Sequence, residues 1–382
     1  MRILILGGDG YLGWPTAMFL SARGHDTAVV DNYFRRRACL DLDISMLYEP
    51  PSLPARCRIW KDTGGREIKA RVGDVTDYAF LLGVFKEFAP DAVIHYAEQP
   101  SAPYSMIGRK EAVFTLQNNL VGTANIVFAV KEVNPDCHII KLGTMGEYGT
   151  PNIDIEEGYI EIEHKGRREK FLYPRQAGSL YHTTKIQDTD LLYFYVRAWG
   201  IRVTDLMQGP VYGLFTDEMN MDARLMPHFN YDDVFGTVLN RFLVQAVAEI
   251  PLTVYGKGGQ TRGYLNIKDT MKCVELALKN PADGGQLRIL NQFTETFSVN
   301  ELADKVVSAA KALDIEARIE HIKNPRIEKE EHYYNPVHRG LVDMGLESEY
   351  LTEDALVQML RHVMRFKDRI NPDIVMPRVF WQ

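Results

Sequence analysis

Tyr181 and Lys185 stand four residues apart in the stretch that follows Ser179. Side chains at this spacing lie on one face of a helix, so the phenol and the ammonium are predicted to be neighbours. A free phenol has a pKa near ~10, and a nearby ammonium lowers it because the charge favours the phenolate. Such a tyrosine can take a proton from an alcohol while a cofactor takes a hydride. The same spacing also arises in an amphipathic helix whose lysine only reaches solvent.

A dinucleotide-binding pattern begins the chain. The apolar run Arg2–Leu6 predicts a strand, and Thr16–Ala22 predicts an apolar helix soon after it. Between the two lies a glycine-rich loop whose cofactor contacts are expected at Gly7, Gly10, Tyr11, Leu12 and Gly13. The glycines permit a tight turn, and the start of the helix offers free N–H groups to a pyrophosphate.

The next predicted strand ends at Asp31, about 20 residues beyond the glycines, where a carboxylate hydrogen-bonds a ribose diol. A carboxylate here would repel a 2′-phosphate, so NAD is the predicted cofactor. Asn32 is a further expected contact of the cofactor. Arg35 and Arg36 either form a solvated charge cluster or contact the adenosine and its phosphates.

The composition excludes several function classes. The 382 residues carry a net charge of −7, with 46% hydrophobic and 25% charged residues, which is typical of a soluble globular protein. No basic surplus is available to attract nucleic acid. The four cysteines form no Cys-x-x-Cys pair, so neither a metal site nor a disulfide framework is predicted. We expect no signal segment, no membrane insertion and a cytoplasmic location.

Predicted strands alternate with predicted helices over the first two hundred residues. This pattern is typical of an α/β fold, here a Rossmann-type doubly wound parallel sheet with its ligand at the carboxyl ends of the strands. The alternation weakens afterwards, which predicts a smaller C-terminal substrate domain. We assign residues 1–206 to the NAD-binding domain, with 236–269 returning to it, and residues 207–235 and 270–382 to the substrate domain.

Later strand ends carry further polar residues. Asp74 and Val75 follow a predicted strand, and Asp74 either reaches the adenine or only stabilises a turn. Thr144 follows the predicted strand His138–Leu142 at the carboxyl edge of the sheet. Its hydroxyl could hold the reacting alcohol beside Tyr181, although threonine is also a common strand residue.

Longer segments add specificity. They lie at Ser101–Met106, Gly143–Tyr159, Ala198–Arg202, Thr253–Tyr264, and Asn324–Arg326 with Glu330–Asn335. With the glycine pattern, Thr144, the Tyr-x-x-x-Lys pair and the string Asn118–Thr123, they resemble the extended short-chain dehydrogenase/reductase superfamily that acts on nucleotide sugars. Within it they resemble the UDP-sulfoquinovose synthase family over almost the whole chain.

The resemblance implies synthesis of UDP-sulfoquinovose from UDP-glucose and sulfite, with NAD as a recycled cofactor. Tyr181 would take the proton of the sugar C4 hydroxyl, Lys185 would hold the tyrosine ionised, and Thr144 would orient the C4 oxygen. Asn118 and Val211 would join the cofactor site. Contacts to the nucleotide sugar are expected from Met145, Gln208, Arg241, Thr253, Tyr255, Gln260, Arg262 and Arg326.

Two positions depart from related patterns. Sugar 4,6-dehydratases carry Asp-Glu directly after the threonine as acid and base, whereas Met145 and Gly146 follow it here. Glu147 and His182 are therefore alternative carriers of the protons at C5 and C6. Pro100 stands where the family commonly has an arginine that touches the ligand.

Other functions stay open from the sequence. A UDP-sugar 4-epimerase or 4,6-dehydratase is one alternative, and a non-catalytic NAD-sensing scaffold is another. The missing acid and base argue against the dehydratase, and the intact Thr144, Tyr181 and Lys185 argue against the scaffold. Superfamily habit implies a homodimer formed through Ala112–Val130 and Tyr181–Trp199. The protein that donates sulfite is not specified.

Overall fold

The computed structural model describes residues 1–381, and Gln382, the last residue of the predicted second domain, lies outside the described residues. The strands, numbered along the chain, are Arg2–Leu6 (β1), Asp26–Asp31 (β2), Ile68–Val72 (β3), Ala92–His95 (β4), His138–Thr144 (β5), Tyr159–His164 (β6), Arg167–Leu172 (β7), Arg202–Gln208 (β8), Val211–Tyr212 (β9), Leu252–Tyr255 (β10), Thr261–Asn266 (β11), Leu287–Gln292 (β12), Glu295–Ser298 (β13) and Ile319–Ile322 (β14). The α-helices are Gly13–Ala22 (α1), Phe34–Asp41 (α2), Leu53–Asp62 (α3), Tyr78–Phe88 (α4), Arg109–Val133 (α5), Leu180–Trp199 (α6), Val238–Val247 (α7), Ile267–Lys279 (α8), Val299–Lys311 (α9), Arg339–Asp343 (α10) and Glu353–Met364 (α11).

Seven strands form one parallel sheet in the order β12-β8-β5-β4-β1-β2-β3. The central strands are continuous apolar runs because both faces of the sheet are covered, and Ile3 to Leu6 expose no surface. One hydrophobic core lies on each face of the sheet. The predicted α/β fold with a doubly wound, Rossmann-type sheet is therefore confirmed.

The strand order reverses beside β1, whose neighbours are β2 and β4. Ligands of open α/β sheets bind in the crevice at such a switch point, outside the carboxyl ends of the strands. Leu6 pairs with Val30 on one side and His95 on the other. Further along the same edge, Thr144 of β5 pairs with Gln208 of β8. The predicted chemical residues therefore share one edge of the sheet.

The chain returns to the central sheet through β12, which corrects the predicted return through 236–269. The edge strand β12 pairs in parallel with β8 over its whole length, and its Leu287, Ile289 and Leu290 are buried against the core. By contrast, β10 pairs with β14, and β11 pairs with β9 and β13. These two smaller sheets lie outside the central one, so residues 270–382 are divided between both regions.

One helix within the described residues, α5, is long and apolar enough to cross a membrane by length and composition alone. Half of its apolar stretch is buried inside the protein, where it packs against α4 and α6. These contacts are those of a core helix that covers one face of the sheet.

Candidate active site

A cavity of about 980 Å³ lies at the carboxyl edge of the central sheet and extends between β11 and the segment that carries Arg326. The predicted site residues that line it are Gly7, Gly10, Tyr11, Leu12, Gly13, Asp31, Asn32, Arg35, Val75, Asn118, Thr144, Met145, Tyr181, His182, Gln208, Val211, Arg241, Tyr255, Gln260, Arg262 and Arg326. Pro100 lines it as well. The structure thus brings the predicted cofactor, chemical and sugar-nucleotide residues to one cavity.

The glycine-rich loop turns so tightly that a side chain at Gly7 or Gly13 would clash with the backbone. Gly7 has a φ of +88°, and a Cβ there would lie 2.7 Å from the carbonyl carbon of Tyr96. A Cβ on Gly13 would lie 2.0 Å from the Gly7 carbonyl oxygen. The loop leads directly into α1, whose first N–H groups lack partners within the helix. Loop and helix start together would hold the pyrophosphate of NAD.

Asp31 ends β2 at the mouth of the glycine-rich loop. Its Oδ2 accepts the backbone N–H of Asp9 at 2.9 Å, and its Oδ1 accepts the N–H of Tyr33 at 2.7 Å. Burial, followed by the charge of Asp9, raises the pKa of Asp31 to about 6. The carboxylate is thus fixed by the backbone on the cavity wall, a geometry that suits the predicted contact with the ribose diol.

Arg36 does not line the cavity, so its predicted contact with the cofactor is corrected. Its Nε and Nη2 each donate to Asp9 at 2.8 Å, and its remaining donors reach the carbonyl oxygens of Pro50 and Pro51. The sequence patterns did not single out Asp9. Burial alone would raise the pKa of Asp9, but bonds from Arg36 and His228 hold it well below its usual value.

Asp74 is not among the residues that line the cavity. Its carboxylate accepts bonds from the backbone and hydroxyl of Thr76 at 2.8 and 2.7 Å and from Asn32 at 2.8 Å. The turn interpretation of Asp74 therefore fits, and its contact with the adenine stays a prediction. Its neighbour Val75 remains on the cavity wall.

The chemical residues are positioned by the start of α6 and the end of β5. Ser179 caps α6, since its Oγ accepts the backbone N–H of His182 at 3.2 Å. Tyr181 and His182 therefore fall in the first turn, with their ring centroids 5.2 Å apart. The hydroxyl of Thr144 accepts the N–H of Gly146 at 3.2 Å. All three side chains belong to the wall of the same cavity.

Lys185 lies behind the cavity wall and pairs with Glu98, not with the phenol. Both side chains are at least 95% buried. Burial raises the pKa of Tyr181, and the carboxylates of Glu98 and Glu147 raise it further. On balance the surroundings raise the pKa of Tyr181, and the ammonium of Lys185, which was expected to lower it, is paired with Glu98. Nothing in the spacing of the sequence pointed to Glu98.

Glu147 does not reach the cavity, which corrects its predicted role as an acid or base on the sugar. It exposes no surface, and its Oε1 accepts the backbone N–H of Thr144 at 3.3 Å in a capping box. The same oxygen lies 3.3 Å from Lys141 Nζ, and Oε2 accepts the Thr189 hydroxyl at 3.2 Å. Glu147 instead fixes the loop that carries Thr144.

His182 is the remaining candidate for proton transfer at C5 and C6. Burial, followed by the charges of Arg262 and Arg326, lowers its pKa to about 3. The imidazole is therefore neutral near pH 7, and its buried Nδ1 has no hydrogen-bond partner. A neutral ring has a lone pair that can accept a proton, but a pKa this low makes it a weak base in the ligand-free protein.

Arginine side chains line the opposite end of the cavity. Arg241 donates to the Tyr255 hydroxyl at 2.9 Å and to the carbonyl oxygen of Thr253 at 3.1 Å. Arg262 pairs with Glu328 at 3.1 Å. Fixed guanidinium groups suit a diphosphate, because they offer planar sets of donors. Gln245 donates to the hydroxyl of Thr253 at 2.9 Å and Thr253 does not line the cavity, so the predicted contact of its backbone with the uracil stays a prediction.

The comparisons with known proteins agree with this geometry. The NAD dependent epimerase/dehydratase family model matches residues 3–291. The chain is 50% identical over 381 residues to the chloroplastic UDP-sulfoquinovose synthase of Spinacia oleracea, covering 100% of this chain and 79% of that protein. It is 43% identical to the UDP-sulfoquinovose synthase of Sulfolobus acidocaldarius, with 100% and 98% covered.

The chain belongs to the UDP-sulfoquinovose synthase family. It is therefore an enzyme of the NAD-dependent epimerase/dehydratase type, and the cofactor of this family is NAD. The fold also matches the UDP-glucose 4-epimerase of Bifidobacterium longum in complex with NAD+ and UDP, with a TM-score of 0.70 at 22% identity and 96% and 98% of the chains covered. Among residues 1–381, no cluster of His, Cys, Asp or Glu suited to a metal ion is present.

Proposed function

We propose that this chain makes UDP-sulfoquinovose from UDP-glucose and sulfite, and that Thr144, Tyr181 and His182 act on the sugar. One observation supports it above the others. A single cavity joins a dinucleotide loop, the Thr144–Tyr181–His182 wall and an arginine-lined end. Membership of the family indicates the product of the reaction, and this one cavity could bind both the cofactor and the nucleotide sugar.

The first step is oxidation at C4 of the glucose. Thr144 orients the C4 hydroxyl, and Tyr181 takes its proton. NAD held by the glycine-rich loop would supply reversible hydride transfer at C4, so no external reductant would be consumed. Lys185 lies one helical turn beyond Tyr181, where its ammonium pairs with Glu98.

The C4 ketone makes the C5 proton acidic. We assign removal of that proton to His182, because its neutral imidazole lies on the cavity wall whereas Glu147 does not. The C6–O bond breaks as the C5 proton leaves, and water is released across C5–C6. Hydrogen sulfite then adds across the C5–C6 double bond, its sulfur forming the C6–S bond and its proton going to C5, so the C6 hydroxyl is replaced by a sulfonate.

We further propose a cytoplasmic homodimer. The predicted dimer helices correspond to α5 and α6, which pack against each other within the chain. Three large apolar side chains on these helices remain exposed, Val121 by 42%, Phe128 by 44% and Phe194 by 57%. Burial of such side chains against a second copy would favour association. Light scattering of the purified protein tests its oligomeric state.

The decisive experiment incubates the enzyme with NAD and UDP-glucose deuterated at C4, with and without sulfite, and analyses the products by mass spectrometry. We expect a sulfonated nucleotide sugar that retains its deuterium, because the same hydride leaves and returns to C4. The Tyr181→Phe enzyme serves as the control and should give unchanged UDP-glucose.

The alternatives give different products. Unchanged mass with UDP-galactose formed would mean a 4-epimerase, and a dehydrated sugar that sulfite does not trap would mean a 4,6-dehydratase. NAD binding without any turnover would mean a sensor or scaffold. Each of these results overturns the proposed reaction.

A further inference from the structure

We infer that Glu98 is a positioning residue that holds Lys185 in place and, by compensating its charge, keeps the proton on Tyr181 in the free enzyme. This inference rests on the proposed role of Tyr181 as the base at C4. It goes further by assigning the group that decides when the phenol can act. Glu98 follows β4 at the switch-point edge of the sheet, and part of it lines the cavity.

The geometry isolates this ion pair from water. The carboxylate of Glu98 and the ammonium of Lys185 are in direct contact, with the two side chains 5% and 2% exposed. The second oxygen of Glu98, Oε1, is buried without a hydrogen bond and lies 3.4 Å from Nε2 of His95. Little solvent screening is available at such a site, so each charge acts strongly on its neighbours.

The other titratable groups around the pair do not replace Glu98. Burial, followed by the charge of Glu98, raises the pKa of Asp188 to about 8, so that carboxyl group is largely protonated near pH 7. Burial lowers the pKa of His95 to about 4, which leaves its ring neutral. Glu98 is the carboxylate in direct contact with Lys185.

The remaining charges form a second cluster with its own cations. Glu147 and Asp205 contact Lys141 at 3.3 and 3.1 Å, and Glu147 also lies 3.8 Å from Arg175. These two carboxylates are thus compensated without Lys185. Glu147 still contributes to raising the pKa of Tyr181, whereas Lys141 opposes it.

A compensated ammonium stabilises a nearby phenolate far less than a free one, because its field is cancelled by the adjacent carboxylate. Replacing the carboxylate of Glu98 with an amide keeps the shape and removes the compensating charge. The uncompensated Lys185 should then favour ionisation of Tyr181. Contact between Lys185 and a bound ribose would also favour ionisation of Tyr181, because it would draw the ammonium away from Glu98.

The first test measures ionisation of the Tyr181 phenol from its resonance in enzyme labelled with 13Cζ-tyrosine. It requires no turnover. The resonance of Tyr181 is the one lost in Tyr181→Phe. We expect its titration midpoint to fall by at least one pH unit in Glu98→Gln, which is a tenfold change in the acid dissociation constant. Glu87→Gln removes a surface carboxylate paired with Arg71 and should leave the titration unchanged.

Equal midpoints in Glu98→Gln and wild type, or a phenol that stays protonated through pH 10 in both, overturn the inference. Glu98→Asp retains the charge and should titrate nearer to wild type than the Gln variant. If Glu98→Gln does not fold, as judged by circular dichroism, Glu98→Asp carries the test. Its shorter side chain loosens the pair and should lower the midpoint by a smaller amount, whereas no shift rejects the inference.

A second test follows reduction of NAD by UDP-glucose in a single turnover, which both the synthase and an epimerase perform. The acid limb of this rate should move to lower pH in Glu98→Gln, and an unmoved limb contradicts the inference. If the wild type reduces NAD but makes no sulfonated product, the proposed function fails while the Glu98 result still stands. The two failures are thus distinguishable.

Discussion

Lys141 and Asp205 lie opposite each other on neighbouring strands, with the ammonium nitrogen 3.1 Å from a carboxylate oxygen, and neither side chain exposes any surface. Lys141 also lies 2.7 Å from the Thr189 hydroxyl and 3.3 Å from Glu147. Since Glu147 accepts the N–H of Thr144, this buried cluster fixes the loop that presents the threonine to the cavity. The cavity wall thus depends on charged side chains that do not line the cavity themselves.

Replacing Lys141 with methionine should destabilise the protein by about 3–5 kcal/mol, because it leaves buried carboxylates without their cation. Urea unfolding of wild type and Lys141→Met near pH 7 measures the change. Lys61→Met removes an exposed partner of Glu67 and should change the free energy of unfolding by less than about 1 kcal/mol. A loss for Lys141→Met as small as that control would mean the buried cluster carries little stability.

Tyr181→Phe should lower turnover of UDP-glucose by about 100- to 10,000-fold, because the variant cannot take the proton from the C4 hydroxyl. The NAD dissociation constant should stay within a factor of a few, since the glycine-rich loop is untouched. Calorimetric titration of NAD and product assays check both statements. Near-normal rates in the variant would remove Tyr181 from the chemistry.

Asp31→Asn should weaken NAD binding by about 10- to 100-fold, because an amide is a poorer acceptor for a ribose diol than a carboxylate. The pKa of Asp31 is raised to about 6 by burial and by Asp9, so wild-type affinity should fall as the pH drops through this value. The variant should lack that dependence between pH 5 and 7. An unchanged dissociation constant would place the ribose contact elsewhere.

Local features of the site could be predicted because local spacing determines them. The strand, glycine and helix pattern placed the dinucleotide loop, and the four-residue interval placed Tyr181 and Lys185 on one helix face. The Thr-x-x-Glu pattern from Thr144 to Glu147 was also a local signal, since it is that of a capping box. That signal was overlooked when Glu147 was predicted to act on the sugar, and it would have indicated a glutamate turned toward the backbone.

Long-range partners could not be predicted in this way. Arg36 and Arg56 reach Asp9 from 27 and 47 residues away, and Glu98 meets Lys185 across 87 residues. No periodicity in a single sequence encodes such pairs. The place of β12 in the central sheet was missed for a related reason, because pairing of distant strands depends on tertiary packing.

His182→Gln should keep reduction of NAD by UDP-glucose but lower formation of the sulfonated sugar by about 100-fold or more, as expected for loss of an acid–base group. The imidazole has a pKa of about 3 as a result of burial and the charges of Arg262 and Arg326. Wild-type activity should therefore show no loss from protonation of His182 between pH 5 and 8. Equal loss of both steps would assign His182 to positioning of the sugar.

Asp188→Asn should stabilise the protein increasingly as the pH rises. The carboxyl group has a pKa of about 8 in the folded chain, as a result of burial and the nearby Glu98, against ~3.9 when unfolded. Between these values the folded state binds more protons, so rising pH lowers the free energy of unfolding. Asparagine removes this penalty because it resembles the protonated acid.

The stability difference between Asp188→Asn and wild type should therefore grow by up to about 1 kcal/mol per pH unit from pH 4 to 8 and stay level above that. Urea unfolding at one-unit intervals from pH 4 to 9 measures it. Asp304→Asn changes an exposed carboxylate on α9. Its free energy of unfolding should vary with pH nearly as that of the wild type does over this range. If the Asp188→Asn curve is parallel as well, Asp188 is ionised in the native protein, and Lys185 then has a second carboxylate beside it.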